Sequence, residues 1–184
     1  MRLRIGDWSQ TQPMQIVKDP RINTTQTEFE EQFDLANKVG EKIKELYDSL
    51  LRLRDVKKQT NELAERMEKA GNGKDAGQAA IALNEKLTKI EGEMTQLQGE
   101  GGQDALNFPG RLDNQFVTLY NEVAGPDARP TAGSYTRFED LKPRLAQLLG
   151  RLKQVLDADL ASFNQLVRGK GVPPVILLKE AGQK

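Results

Sequence analysis

Apolar residues recur at every third and fourth position through most of this chain, and at every second position only in its opening. "RLRIGDWSQTQPMQIV" alternates twice. Leu3 and Ile5 stand between Arg2 and Arg4, Gly6-Asp7 breaks the run, and Met14 and Ile16 flank Gln15. Period-two alternation around a Gly-Asp break predicts two short strands and a turn. A lone hairpin is marginal in water and gains stability by joining a sheet, which no other stretch of this sequence supplies. Pro20 biases Asp19 toward extended backbone and closes the strand-like segment.

From Thr25 the period changes. Thr25-x-x-Glu28 and Thr27-x-x-Glu30 each fit a capping box, the arrangement that satisfies the first N–H groups of a helix. Phe29, Phe33, Ala36, Val39, Ile43, Leu46, Leu50, Leu53, Val56, Thr60, Leu63, Met67 and Ala70 follow in threes and fours. They predict one amphipathic helix over about 25–70, roughly 65–70 Å long at 1.5 Å per residue. Gly40 is its weak point, and "GNGKDAG" ends it in a turn.

A second helix over 75–98 carries Ala80, Leu83, Leu87, Ile90, Met94 and Leu97. "QGEGGQDALNF" reads as a loop. A third helix over 109–124 opens near Pro109, a residue suited to a first turn, and carries Leu112, Phe116, Leu119, Tyr120 and Val123. After the Gly/Pro-rich "AGPDARPTAGS", a fourth runs over 134–168 from Tyr135 and Phe138 to Phe163 and Val167. Pro143 either kinks it or marks its first turn. Val172-Pro173-Pro174 cannot remain helical and predicts an extended tail across the bundle end.

Four amphipathic helices with short connections pack antiparallel, so the expected fold is mainly α: an up-down four-helix bundle after a β-hairpin. Its parts are a hairpin over 1–22, a bundle over 23–171 and a tail over 172–184. The first helix outlasts its partners, so part of it is expected to project or to be covered by another subunit.

Composition narrows the function. Lysine plus arginine and aspartate plus glutamate are each 27, a balance that argues against a nucleic-acid partner. Mean hydropathy is -0.64, and no run approaches the roughly 18 apolar residues of a membrane span. Cysteine and histidine are both 0. Disulfides, thiolate nucleophiles, His/Cys zinc sites and any triad with a histidine base are therefore ruled out. Zero cysteine fits either the cytosol or an exported protein.

The carboxylate pairs Glu30/Asp34, Glu41/Glu45 and Asp157/Asp159 lie between apolar positions, on wet helix faces rather than in a cleft that would tune them for glycoside chemistry. Gly-Lys in "AGNGKDAG" lacks P-loop spacing and follows a helix. Gly133-Ser134 lacks the flanking glycines of a nucleophile elbow. Asn23-Thr24-Thr25 is a glycosylation triplet, but Thr25 serves better as a helix cap. Tyr47, Tyr120 and Tyr135 fall on or beside the apolar stripes and are expected in the core. No catalytic, cofactor or metal residue emerges, and the chain is not expected to be an enzyme. The candidate interaction surface is Leu3, Ile5, Trp8, Met14 and Ile16. A long heptad helix also readily finds a second copy, which adds a homodimer to the expected partners.

"TQPMQIVKDPRI" followed by "FEEQFDLANKV" resembles the C-terminal region of bacterial sortilin-like, BNR-repeat β-propeller proteins, often labelled glycosyl hydrolase or sialidase-like. There a last β-sandwich strand ends in a Lys-x-Asp-Pro-Arg-like phrase and a helical domain with an early Gln-Phe pair follows. The matching residues are Lys18, Asp19, Pro20, Arg21, Gln32 and Phe33. "LDADLASFNQLVRGKGVPPV" is similar to that family's closing phrase. The resemblance implies that Met1 is an internal position of a longer exported protein. It also implies that residues 1–22 are the last strands of a preceding β-domain, which is then the partner, and that any hydrolase activity resides in the propellers. The chain would be a non-catalytic module for domain packing or association. The alternative is a free-standing helical adaptor or chaperone-like protein.

Overall fold

The computed structural model describes residues 1–71, 73–98 and 107–177. They form a short antiparallel hairpin followed by a bundle of four helices, as the periodicity predicts. The hairpin pairs β1 (Arg2–Ile5) with β2 (Trp8–Thr11). Gly6 takes φ 60, the positive value that a two-residue turn needs at its first position and that glycine adopts without strain. Met1 and Gln12 extend the ladder by two bonds, Gln12 N–H donating to Met1 O at 2.9 Å and the Met1 amino group to Gln12 O at 2.7 Å. Pro13 has no N–H to continue it. The second strand therefore occupies Trp8–Thr11, and Met14 to Val17 lie outside any strand, which corrects the alternation read at Met14 and Ile16. The tight turn returns the chain at once, so the strand resumes at Trp8.

α1 spans Gln26–Lys69. Of the two capping boxes the first operates: Thr25 Oγ1 accepts the Glu28 N–H at 3.3 Å, and Glu28 accepts the Thr25 N–H at 2.8 Å. α2 spans Lys74–Met94, α3 Leu112–Ala124 and α4 Ala132–Gln154. Thr131 caps α4, accepting the Ser134 N–H at 3.1 Å. Pro143 thus sits inside α4 and not in its first turn. α4 passes through a π-helical turn, Val155–Leu160, directly into α5, Ala161–Gly169.

The π turn has a cause in the spacing. Leu148, Leu152, Leu156 and Leu160 are all buried and stand three successive fours apart. Each such step overshoots an α-helical turn by about 40°, so three would swing the stripe about 120° off the core. The wider turn absorbs the excess.

The long first helix is matched by two shorter ones in series. Arg54 and Lys57 reach Glu91, and Asn61 reaches Asn84, so α2 runs antiparallel along the C-terminal half of α1. Gln32 Nε2 donates to Val123 O at 2.8 Å, and Gly40 faces the Tyr120 ring, which places α3 along the N-terminal half. The buried stripe of α1 is continuous from Leu35 to Met67, so α1 does not project beyond its partners as its length suggested.

The α4–α5 rod then runs back beside α3 and α2. Pairs tie it down in reverse order: Arg137 to Gln115, Arg151 to Glu93, Asp159 to Lys86, Lys170 to Asp75. Any level of the bundle holds three rods around one core of Leu, Val, Phe and Met.

Gly171, at φ 74, ends α5, with Val172 N–H donating to Val167 O at 3.1 Å, a Schellman-type stop. The tail then lies against the bundle through two side-chain amides. Asn164 accepts the Val175 N–H at 2.8 Å and donates to its carbonyl at 3.1 Å. Gln59 does the same for Ile176 at 3.0 and 2.9 Å. Val175 is buried between them.

Several sequence expectations are corrected. Phe33 is 67% exposed and Leu35 takes its place in the core. Counting back from Val39 by four gives Leu35, whereas Phe33 lies six residues away on the opposite face. Tyr47, Tyr120 and Tyr135 are exposed, because they flank the stripe and their hydroxyls stay in water. α2 ends at Met94, not 98, and Leu97 is exposed. Thr95 takes an extended conformation, and its hydroxyl donates to Asp113 at 2.6 Å. α3 begins at Leu112 rather than at Pro109, whose carbonyl accepts from Gln96 at 3.1 Å. Asn72, most of the predicted loop over 98–108 and the tail beyond 177 lie outside the described residues.

Candidate functional site

Directly paired residues on antiparallel strands point to the same side. The pairs Leu3↔Gln10 and Ile5↔Trp8 therefore give the hairpin one apolar face, and Arg2↔Thr11 and Arg4↔Ser9 give it a polar one. On the polar face Arg2 donates to Ser9 Oγ at 3.2 Å, and Arg4 Nε donates to Gly6 O at 3.0 Å. On the apolar face Leu3, Ile5 and Trp8 are 51%, 67% and 51% exposed. The two strands pair with each other and pack against none of the helices.

The structure thus brings Leu3, Ile5 and Trp8 together on one surface. Met14 and Ile16, also exposed, lie beyond the ladder and do not share it. Among the described residues, no helix covers the apolar face of this ribbon.

The join between hairpin and bundle is a hydrogen-bonded turn. Asp19 Oδ1 accepts the Arg21 N–H at 2.9 Å, Arg21 Nε reaches both carboxylate oxygens, and Ile22 N–H donates to Asp19 O at 3.2 Å. The Arg21 side chain, then its backbone N–H, hold the Asp19 carboxyl below its ordinary range. Lys18 Nζ donates to Thr24 O at 2.8 Å. Lys18, Asp19 and Arg21 are thus occupied in shaping the chain where it turns from ribbon to rod.

Inside the bundle, the buried carboxylate Glu91 accepts from Arg54 Nε at 2.6 Å and Lys57 Nζ at 2.8 Å. Burial pushes its carboxyl up, but hydrogen bonds and charge from Lys57 and Arg54 outweigh that and hold it low. A carboxylate so paired is a strut, since both its oxygens are taken. Sequence reading missed it because position 91 adjoins the stripe residue Ile90 and looks like any wet-face glutamate. The acidic pairs weighed for chemistry lie on the surface. Asp157 pairs with Lys153, Asp159 with Lys86 and Glu45 with Lys42.

Among the described residues no group of histidine, cysteine, aspartate and glutamate could hold a metal ion, and no helix is long and apolar enough to cross a membrane. No family model, no curated protein and no solved structure matches this chain.

Proposed function

We propose that this chain is a non-catalytic helical module, the C-terminal part of a larger exported bacterial protein of the BNR-repeat, sortilin-like kind. The surface of Leu3, Ile5 and Trp8 is its contact with the preceding β-domain of the same protein. The observation that carries the reading is the hairpin's apolar face, exposed to water and packed against no helix. A ribbon of this size gains little stability alone and much by lying on or extending a sheet. The turn built by Lys18, Asp19 and Arg21 fits a junction whose angle must be set, and those three are among the residues on which the family resemblance rests.

Two measurements test the proposal. An immunoblot of source cells should detect a band several-fold larger than 20.6 kDa; a band at that mass would favour the free-standing adaptor instead. Deleting residues 1–17 should leave the helicity and thermal midpoint of the bundle nearly unchanged, since that ribbon contributes nothing to its core. Collapse of helicity on that deletion would overturn the assignment of the hairpin to another domain.

A further inference from the structure

Near the junction of α2 and α3 the described residues line a cavity of about 210 Å³ that α4 also borders. Its walls include Glu93 from α2, Arg111 and Gln115 at the start of α3, and Arg144 and Gln147 from α4. The charges there are unevenly matched. Glu93 is bound by Arg151 through both oxygens, at 2.8 and 2.9 Å, which neutralises the one carboxylate in the wall among the described residues. Asp113, in the first turn of α3, already accepts from Thr95.

Arg144 Nη1 and Arg137 Nη2 both donate to the same oxygen, Gln115 Oε1, at 2.9 and 2.8 Å. Two guanidinium groups are thus held side by side on a neutral amide. Neither they nor Arg111 forms an ion pair with a described carboxylate, not even with Asp140 on the same helix. Like charges placed together repel, and a single amide oxygen compensates poorly for two cations. An oxyanion compensates well, offering each guanidinium a fork of charged acceptors.

The geometry points to a phosphate-binding site at the edge of this cavity, where Arg144 in its wall and Arg137 beside it clamp a tetrahedral oxyanion that displaces Gln115 Oε1 from between them, with Arg111 also in the wall. The ligand class is a phosphate group, either the free ion or a small phosphomonoester, since both present the same oxygens. The site is independent of the hairpin and of the module's place in a longer protein.

Calorimetric titration of the full chain with inorganic phosphate at low ionic strength, against sodium chloride as the control, should show saturable one-to-one binding. Changing both arginines, Arg137→Gln with Arg144→Gln, should weaken it at least about tenfold, with circular dichroism unchanged because both side chains are exposed. Gln115→Glu is the sharper variant. Its carboxylate would occupy the clamp permanently, so phosphate binding should vanish while the thermal midpoint rises. A parallel titration with O-phosphoserine separates the sources. Tighter binding than inorganic phosphate assigns a monoester, and equal or weaker binding assigns the free ion. Phosphate heats no greater than those of chloride, or wild-type affinity in either variant, would overturn the site.

Discussion

Glu91 shows how much one side chain can depend on its neighbours. It is 4% exposed, and its charge persists there because Lys57 and Arg54 supply two charged donors. Glu91→Ala removes both bonds and leaves two cations facing an apolar wall, yet both reach water in part. We expect a loss of about 2 kcal/mol in urea unfolding. The same residue fixes a pH dependence. Its folded carboxyl is held below the ordinary glutamate value, so its contribution is complete above that ordinary value. It fades as pH falls toward the lowered one. Urea midpoints should decline in that acid window, and Glu91→Gln should flatten the decline. None of this was visible from the residue type, because burial of a carboxylate depends on which helix arrives opposite it. The exchange of Phe33 for Leu35 was legible, had phase outweighed the bulk of the aromatic ring.

Among the elements, the helices were legible and their ends less so. Capping at Thr25 fixed the start of α1 within a residue, because the Thr-x-x-Glu pair satisfies N–H groups locally. The ends of α2 and the start of α3 were set by tertiary bonds from Thr95 to Asp113 and from Gln96 to Pro109, and no local pattern announces these. The hairpin was legible as a hairpin but misplaced in register, since Gly6-Asp7 closes a tighter turn than the spread of apolar residues suggested. Gly40 gives the element-scale test. A methyl group added there meets Tyr120 Cε2 at 3.7 Å, ordinary contact, in a backbone already helical. Gly40→Ala should therefore stabilise α1 by about 0.5–1 kcal/mol, read as a higher urea midpoint at unchanged slope. A lower midpoint would show that Tyr120 cannot accept the contact.

For the whole molecule, the antiparallel bundle followed from periodicity, while the serial placement of α3 and α2 along α1 did not. Helix lengths alone allowed an overhang. Closure of the core came from two short helices sharing one long partner, and the cavity bordered by Arg111 and Arg144 lies near their junction. The hairpin follows another logic, with its own turn, its own ladder and no helix beneath it. The π turn is where the third rod settles its length against the other two. It carries one residue more than plain winding would use, between clamps at Arg129–Glu31 and at Lys170–Asp75. Excising Ala158 should let that stretch rewind as ordinary helix, with Phe163 and Val167 still facing inward and the melting curve little changed. The same excision at Gly150, where there is no slack, would turn everything downstream by about 100° and unseat the rod. Seen this way, the wide turn is a spare link in a chain otherwise cut to measure.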